Sequence, residues 1–324
     1  MKAILAREFG GPEVLKLEEV PDPVAGPGQV RVSIHAVGVN PYDTYMRAGG
    51  YAIKPELPYI PGADAAGVID QVGAGVTGFL VGQRVYISGT ALGKAHGAYA
   101  SLAVCEPGQV HRLPPRISFP QGAGLFVPYV TAWRALFGRA VARAGDTVLV
   151  HGASGGVGIA AVQFAVAAGL TVIGTAGTDD GLATVKAQGA QHALNHRSPG
   201  YLDEIVALAG GRGPDLILEM LANENLDHDL TIIAPGGRIA VIGNRGRVEI
   251  DARKIMTKDV AVYGLALWAI PADEVRRAHH AIIAGLDSGA LNPVVGTEFP
   301  LAEAARAHAK VMEPGARGKI VLIP

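Results

Sequence analysis

The sequence predicts an α/β protein in which a doubly wound, parallel, six-stranded sheet is joined to a smaller β-rich domain. Three observations point there. From Thr147 to Leu265, β-branched runs alternate with helical patterns, and strands separated by helices specify a parallel sheet covered on both faces. The first 120 residues instead carry short alternating runs broken by Gly and Pro, the pattern of a compact β domain, here read as a partly open barrel. The length, 324 residues, suits two domains at roughly 150 residues each.

In the β-rich part, Val30-Arg31-Val32-Ser33-Ile34 and Gly67 to Val72 alternate as half-buried strands do. Thr147 to Val150 then reads as the first parallel strand, Ile159 to Ala168 as a helix ended by Gly169, and Leu170 to Ile173 as the second strand. A helix over 180–188, a strand near 192–194 and a helix over 201–209 follow. Strands at 215–219, 238–242 and 261–265 complete the six, with a helix over 226–233 between the first two of these. Beyond 266, helices are expected at 272–284 and 302–311, and a strand at 319–323.

No residue from Thr147 to Thr178 carries a formal charge, His151 apart, and a hydropathy window would read a membrane span. Glycines at 152–158 and 169–177 break that segment into strand, turn, helix and strand. The balance of 28 Lys+Arg against 29 Asp+Glu provides no summed field for nucleic acid or anionic membrane. A single cysteine, Cys105, excludes a disulfide framework and a multi-thiolate metal site and suits a reducing compartment. It is read as a small packed residue. With no signal-peptide pattern at Met1 to Glu8, a cytoplasmic location is expected.

The main motif is His151-Gly152-Ala153-Ser154-Gly155-Gly156-Val157-Gly158, lying between a strand and a helix. Glycines there let the chain turn tightly and let a pyrophosphate approach the helix N-terminus. Against G-x-G-x-x-G, Ala153 takes the first glycine position while Gly155 and Gly158 match the others. The same residues formally match the G-x-S-x-G nucleophile elbow, making a serine hydrolase the rival reading: Ser154 as nucleophile, then Asp215 and His228 or His279 in the right order. An H-G-G-G-type oxyanion loop is missing from the sequence, and Val157-Gly158 is superfluous for an elbow.

A carboxylate about 20 residues after the loop usually holds a ribose 2′-hydroxyl, and a 2′-phosphate excludes it. Here Gly174-Thr175-Ala176-Gly177-Thr178 occupies that place, with Gly174 and Gly177 leaving room. NADPH is therefore expected over NADH. Asp179 and Asp180 are read as caps of the following helix rather than as ribose ligands, and His196-Arg197 as the cations within reach of a 2′-phosphate.

Phe9 to Leu15, His35 to Pro41, Pro58 to Gly73, His151 to Gly158, Gly174 to Thr178, Glu219 to Asn223 and Gly243 to Gly246 together resemble the zinc-independent, zeta-crystallin-like quinone oxidoreductases of the medium-chain dehydrogenase/reductase superfamily. The resemblance runs nearly end to end. It implies a GroES-like β-rich catalytic domain over 1–122, completed by 266–324, and a Rossmann domain over 123–265. A cysteine of the superfamily's alcohol dehydrogenases is replaced here by Asn40, and their Gly-His-Glu by Gly62-Ala63-Asp64. No metal is therefore expected, and hydride transfer to a quinone or activated enone remains.

By the resemblance, Asn40, Tyr45 and Tyr51 line the quinone site; amide and phenol groups can hydrogen-bond carbonyl oxygens without carrying charge. Either tyrosine could equally be an amphipathic core residue. Asp43 is expected to fix the loop or pair with Arg47. The cofactor residues implied are Tyr45, Thr131 (near a helix start), Ser154, Gly155, Gly156, Val157, Gly158, Gly177, His196, Asn225, Ile242, Gly243, Asn244, Arg245, Leu265, Ala266 and Leu267. Arg245 stays open between a phosphate contact and a solvated loop residue. His96 and the loop around Leu92-Gly93-Lys94-Ala95, longer than in the family's animal members, carry no assignment. A homo-oligomer is expected, with dimer and tetramer both open. A non-catalytic recruit of the fold, binding nucleotide or RNA, is the remaining reading, and the neutral charge argues against RNA.

Overall fold

The computed structural model describes residues 1–89 and 96–324, so the loop around Leu92 to Ala95 lies outside the described residues. His96 is exposed and bridges Ile60. In chain order the strands are β1 (Lys2–Ala6), β2 (Leu15–Glu19), β3 (Val30–Val39), β4 (Asp64–Val72), β5 (Arg84–Ser88), β6 (Leu102–Cys105), β7 (Val110–Arg112), β8 (Thr147–Val150), β9 (Thr171–Ala176), β10 (His192–Asn195), β11 (Leu216–Glu219), β12 (Arg238–Val241), β13 (Ala261–Gly264), β14 (Val295–Pro300) and β15 (Lys319–Ile323).

β8 to β13 form one six-stranded sheet in the order β10-β9-β8-β11-β12-β13, every pair parallel. This is the doubly wound order whose switch point lies between β8 and β11, where ligands of such sheets bind. The buried run Val148-Leu149-Val150 is apolar because helices cover both faces. Helix Gly156–Ala167 packs on one face; its residues from Gly158 to Ala165 are all buried, which explains the absence of charge there. Ile205, Leu226 and Leu230 cover the other face.

The β-rich part is a larger sheet, β14-β15-β3-β4-β5-β7, with β6 also on β3. β15 and β14 reach it from the far end of the chain, and β15 lies antiparallel to β3. The polar runs of β14, which alternates exposed and half-buried residues, carried too little apolar signal to be read as a strand. Two helices also differ from expectation. Helix Ala222–Ile232 starts a turn before Leu226 because Ala222 and Leu226 pack inward together. A continuous helix over 126–139, with two widened turns, places Thr131 in its interior rather than near its start. Among the described residues no helix is long and apolar enough to cross a membrane, consistent with the glycine breaks of the 147–178 segment.

Candidate functional site

The glycine loop leaves β8 at the carboxyl edge of the sheet. Gly152 turns it with φ +55°, and helix Gly156–Ala167 begins behind Gly155 with no side chain capping it. Its first N–H groups therefore face outward at the positive end of the helix dipole, a site for an anionic group. A Cβ on Gly155 would meet nothing nearer than 3.5 Å, whereas one on Gly158 would come within 2.5 Å of Ala153 Cα. The first glycine keeps the cradle open, and the second lets helix and loop close on each other. Val157 is half-buried beside them.

The hydrolase reading fails at Ser154. Its Oγ donates to the carbonyl of Ala316 at 2.7 Å, and its own carbonyl accepts from Gly318 N–H at 2.8 Å. Asp215 instead accepts from Thr147 N–H, His279 meets Tyr86 Oη at 2.8 Å, and His228 is exposed. Ser154 thus ties the loop to the chain just before β15.

At the end of β9, a Cβ on Gly177 would lie 2.8 Å from His196 Nε2 and 3.1 Å from Arg197 Nε. The His196 and Arg197 side chains converge on this glycine. Burial, then Arg197, pulls the His196 pKa down, which leaves Arg197 as the permanent charge. Gly174 has a different task from the one expected: its missing Cβ makes room for Val185 and Ala153, packing helix on sheet. Thr178, not Asp179 or Asp180, caps the next helix, its Oγ1 accepting from Gly181 N–H at 3.1 Å. Asp180 faces Arg317 at 3.3 Å.

Beneath the loop lies a cluster that sequence reasoning missed. His151 Nε2 is 2.8 Å from Asp229 Oδ1 and 3.6 Å from Glu219 Oε2, all three buried. Burial pushes the His151 pKa down, but Asp229 and then Glu219 outweigh it and hold the imidazole up at about 9. Burial pushes Glu219 well above the usual carboxylate range, with His151 opposing and Asp229 adding. Both shifts favour the protonated forms, an imidazolium at His151 and a neutral acid at Glu219. An acid proton shared between the two carboxyls also accounts for Glu219 Oε2 and Asp229 Oδ2, which otherwise have no partner. Glu219 Oε1 accepts from Leu221 N–H and, at 3.2 Å, from Asn225 Nδ2, so the candidate Asn225 is oriented from below. Ile242 N–H and Gly243 N–H bond the Glu219 carbonyl, and Asn244 Nδ2 donates to the Gly246 carbonyl. The Arg245 side chain is exposed and reaches the Met312 carbonyl at 3.4 Å.

On the β-rich side, Asn40 follows β3 and precedes helix Pro41–Arg47. Asp43 accepts its backbone N–H at 2.8 Å, which fixes the loop as expected. The expected pair with Arg47 is absent, because Arg47 turns to the Gly10 carbonyl and His308 Nδ1. Burial raises the Asp43 pKa to about 7. The Asn40 side chain is 3% exposed. Its Nδ2 donates to Asp64 Oδ2 at 3.0 Å and its Oδ1 accepts from Lys319 Nζ; Lys319 also donates to Asp64 Oδ2 at 2.9 Å. Lys319 was overlooked, although a lysine opening an apolar C-terminal strand is a visible anomaly.

Tyr45 is half-buried on that helix and Tyr51 half-buried just after it. Burial raises the Tyr51 pKa while neighbouring Trp268 opposes the rise, and the Tyr51 ring lies 5.8 Å from that of Tyr42. Tyr42 carries a buried hydroxyl with no hydrogen-bond partner among the described residues. Tyr42 and Trp268 thus gather around Tyr51 as an aromatic wall, and among the described residues no ring contact joins Tyr45 to them. Leu265, Ala266 and Leu267 lead from β13 into this wall, and the buried Arg134 holds them there, donating to the Ala266 carbonyl at 2.6 Å while pairing with Glu274 at 3.1 Å. Thr131 is buried one turn earlier on the same helix.

A doubly wound dinucleotide-type sheet inserted into a β-rich unit that the C-terminal strands complete defines a medium-chain dehydrogenase/reductase. Residues 26–134 match the alcohol dehydrogenase GroES-like domain and 156–283 the zinc-binding dehydrogenase domain. The chain is 45% identical over 325 residues to the quinone oxidoreductase of Homo sapiens, covering 100% of this chain and 98% of the relative. It superimposes with TM-score 0.93 on an NAD-dependent alcohol dehydrogenase, at 31% identity and full coverage of both. With the Escherichia coli quinone oxidoreductase complexed with NADPH the TM-score is 0.87, at 28% identity and full coverage of both. The chain belongs to the quinone oxidoreductase family of the medium-chain dehydrogenase/reductases.

Proposed function

We propose that this protein reduces quinones, and activated enones by the same chemistry, at the expense of NADPH and without zinc. The observation that carries the reading is the pairing of an uncapped, glycine-lined helix terminus with a buried amide and an aromatic wall across the cleft. The open Gly155–Gly156 terminus fits a diphosphate, and the Gly177–Arg197 corner fits a 2′-phosphate, which supports NADPH over NADH. A bound dinucleotide supplies a hydride from nicotinamide C4. Tyr42, Tyr51 and Trp268 offer flat apolar surface to a planar acceptor, and the Asn40 amide offers an uncharged donor to the oxygen on which negative charge grows. Protons then come from water. Zinc independence rests on the donors present: Asn40 and Asp64 already hold the Lys319 ammonium, and a divalent ion beside it would meet direct charge repulsion.

The test follows oxidation of NADPH and NADH with ortho-quinones, para-quinones and linear enones, with and without chelator. NADPH-driven quinone turnover that ignores chelator is expected, with Arg197→Ala raising KM for NADPH by about 10- to 100-fold while leaving NADH within about twofold. Chelator-sensitive alcohol oxidation, or no turnover with any acceptor, would overturn the reading.

A further inference from the structure

A lysine whose side chain is 6% exposed requires an explanation, because a buried ammonium persists only where it is paired and hydrogen-bonded. Gly38 leaves the space for the end of the Lys319 side chain, while Gly124 and Gly156 flank its stem at ordinary contact distance. A Cβ on Gly38 would sit 2.7 Å from Lys319 Cε, one on Gly124 3.4 Å from its Cγ, and one on Gly156 3.8 Å from its Cδ. Its stem therefore passes the first residue of the glycine-loop helix and ends at Asn40. There Lys319, Asn40 and Asp64 close a ring of three hydrogen bonds, and the outer oxygen of Asp64 is anchored by Val127 N–H at 2.8 Å.

This ring decides which way the amide faces. With Oδ1 toward the ammonium and Nδ2 toward the carboxylate, both contacts are attractive; rotated by half a turn, NH2 would face ammonium and oxygen would face carboxylate. One Nδ2 hydrogen is used by Asp64, and the second is left in a fixed direction. We propose that Lys319 is a positioning residue for the reaction: it locks the Asn40 amide so that this second N–H is presented to the carbonyl oxygen of the acceptor. The inference rests on the quinone-reductase reading given above. It assigns a task to a residue contributed by a strand some 280 positions away from Asn40 in the chain, and it makes the ammonium act through the amide rather than on substrate.

A double-mutant cycle tests it. Lys319→Met keeps most of the stem and removes the charge; Asn40→Ala removes the amide; the two are combined, and kcat, KM for quinone and NADPH affinity by fluorescence titration are measured for each. Lys319→Met is expected to lower kcat by about 100-fold, the scale of a misplaced catalytic contact, while the NADPH dissociation constant stays within about twofold. In the Asn40→Ala background the same substitution is expected to cost less than about twofold, since the group it positions is gone. Because Lys319→Met alone strands the buried Asp64 charge, the neutral pair Lys319→Met/Asp64→Asn is measured beside it; thermal melting reports folding, and its kcat is expected to fall as far. Equal losses from Lys319→Met with and without Asn40, or full activity in the folded neutral pair, would overturn the proposal. If the unmodified protein binds NADPH but reduces no quinone, the functional reading falls and takes this one with it.

Discussion

The two sides of the cleft are built on opposite principles. On the sheet side, the site is made of backbone and of missing side chains: Gly152, Gly155, Gly158 and Gly177 shape a surface that N–H groups and a helix dipole make receptive to anions. On the β-rich side it is made of buried polar side chains drawn together from distant segments, Asn40, Asp64 and Lys319. The first kind of site tolerates a charged ligand because water-facing N–H groups receive it. The second fixes a neutral donor by surrounding it with charges that neutralise each other. Binding and orientation are thereby assigned to different chemistries within one cleft.

The sheet side has its own buried charges beneath the loop, and they offer the largest contrast. Asp229→Asn should strand the His151 imidazolium and lower unfolding free energy by about 3–5 kcal/mol, whereas Glu219→Gln should cost less than about 1 kcal/mol, because a neutral acid is replaced by a neutral amide. Urea unfolding at pH 7 measures both, and equal losses would show that Glu219 is ionised.

Next in size is acid sensitivity, which should arise on the β-rich side and its docked helices. Burial lowers the pKa values of His111, His279 and His308 to about 4, about 2 and about 3. A depressed base binds its proton first in the unfolded chain, so the stability it contributes is present above about pH 6.5 and is lost as pH falls below it. Each histidine contributes a slope of about 1.4 kcal/mol per pH unit down to its folded value, so three cost about 4 kcal/mol per unit between about pH 6 and 5, while the raised Asp43 and Glu219 acids, protonated in the fold and ionised in the unfolded chain, oppose this by about 3. Melting temperatures across that range, compared with His111→Gln/His279→Gln, check the origin: the double variant should no longer lose stability as pH falls from about 6 to about 5, and an unchanged slope would locate the sensitivity elsewhere. The smallest effect should come from Ser154→Ala, about 1 kcal/mol of stability with turnover held within about twofold. Loss of turnover there would mean that the tie to Ala316 matters to more than the loop's anchoring.

The same asymmetry governs what the sequence disclosed. The glycine loop and alternating strands were legible because their signals are local: a period, a run, a spacing of glycines between a strand and a helix. The ring around Asn40 was not, because its members are 24 and 279 positions away from it, and residue types alone do not state which will meet. His151 was read only as the residue opening the motif, although its partners Glu219 and Asp229 lie on the next strand of the switch point and its helix. Of the two alternatives for Asp43, fixing the loop or pairing with Arg47, the structure shows the first, while the Arg47 guanidinium meets His308 and the Gly10 carbonyl.

The segment leading into β15 braces the glycine loop at Ser154, and its first strand residue orients Asn40. During synthesis from the N-terminus, both halves of the cleft are therefore translated long before the piece that joins them. Until β15 has cleared the ribosome, the end of β3 from Val37 to Val39 lacks its partner strand and Asp64 its counter-ion. The nascent chain thus has an interval in which every strand of the dinucleotide sheet is made while the β-rich sheet still lacks its last two strands.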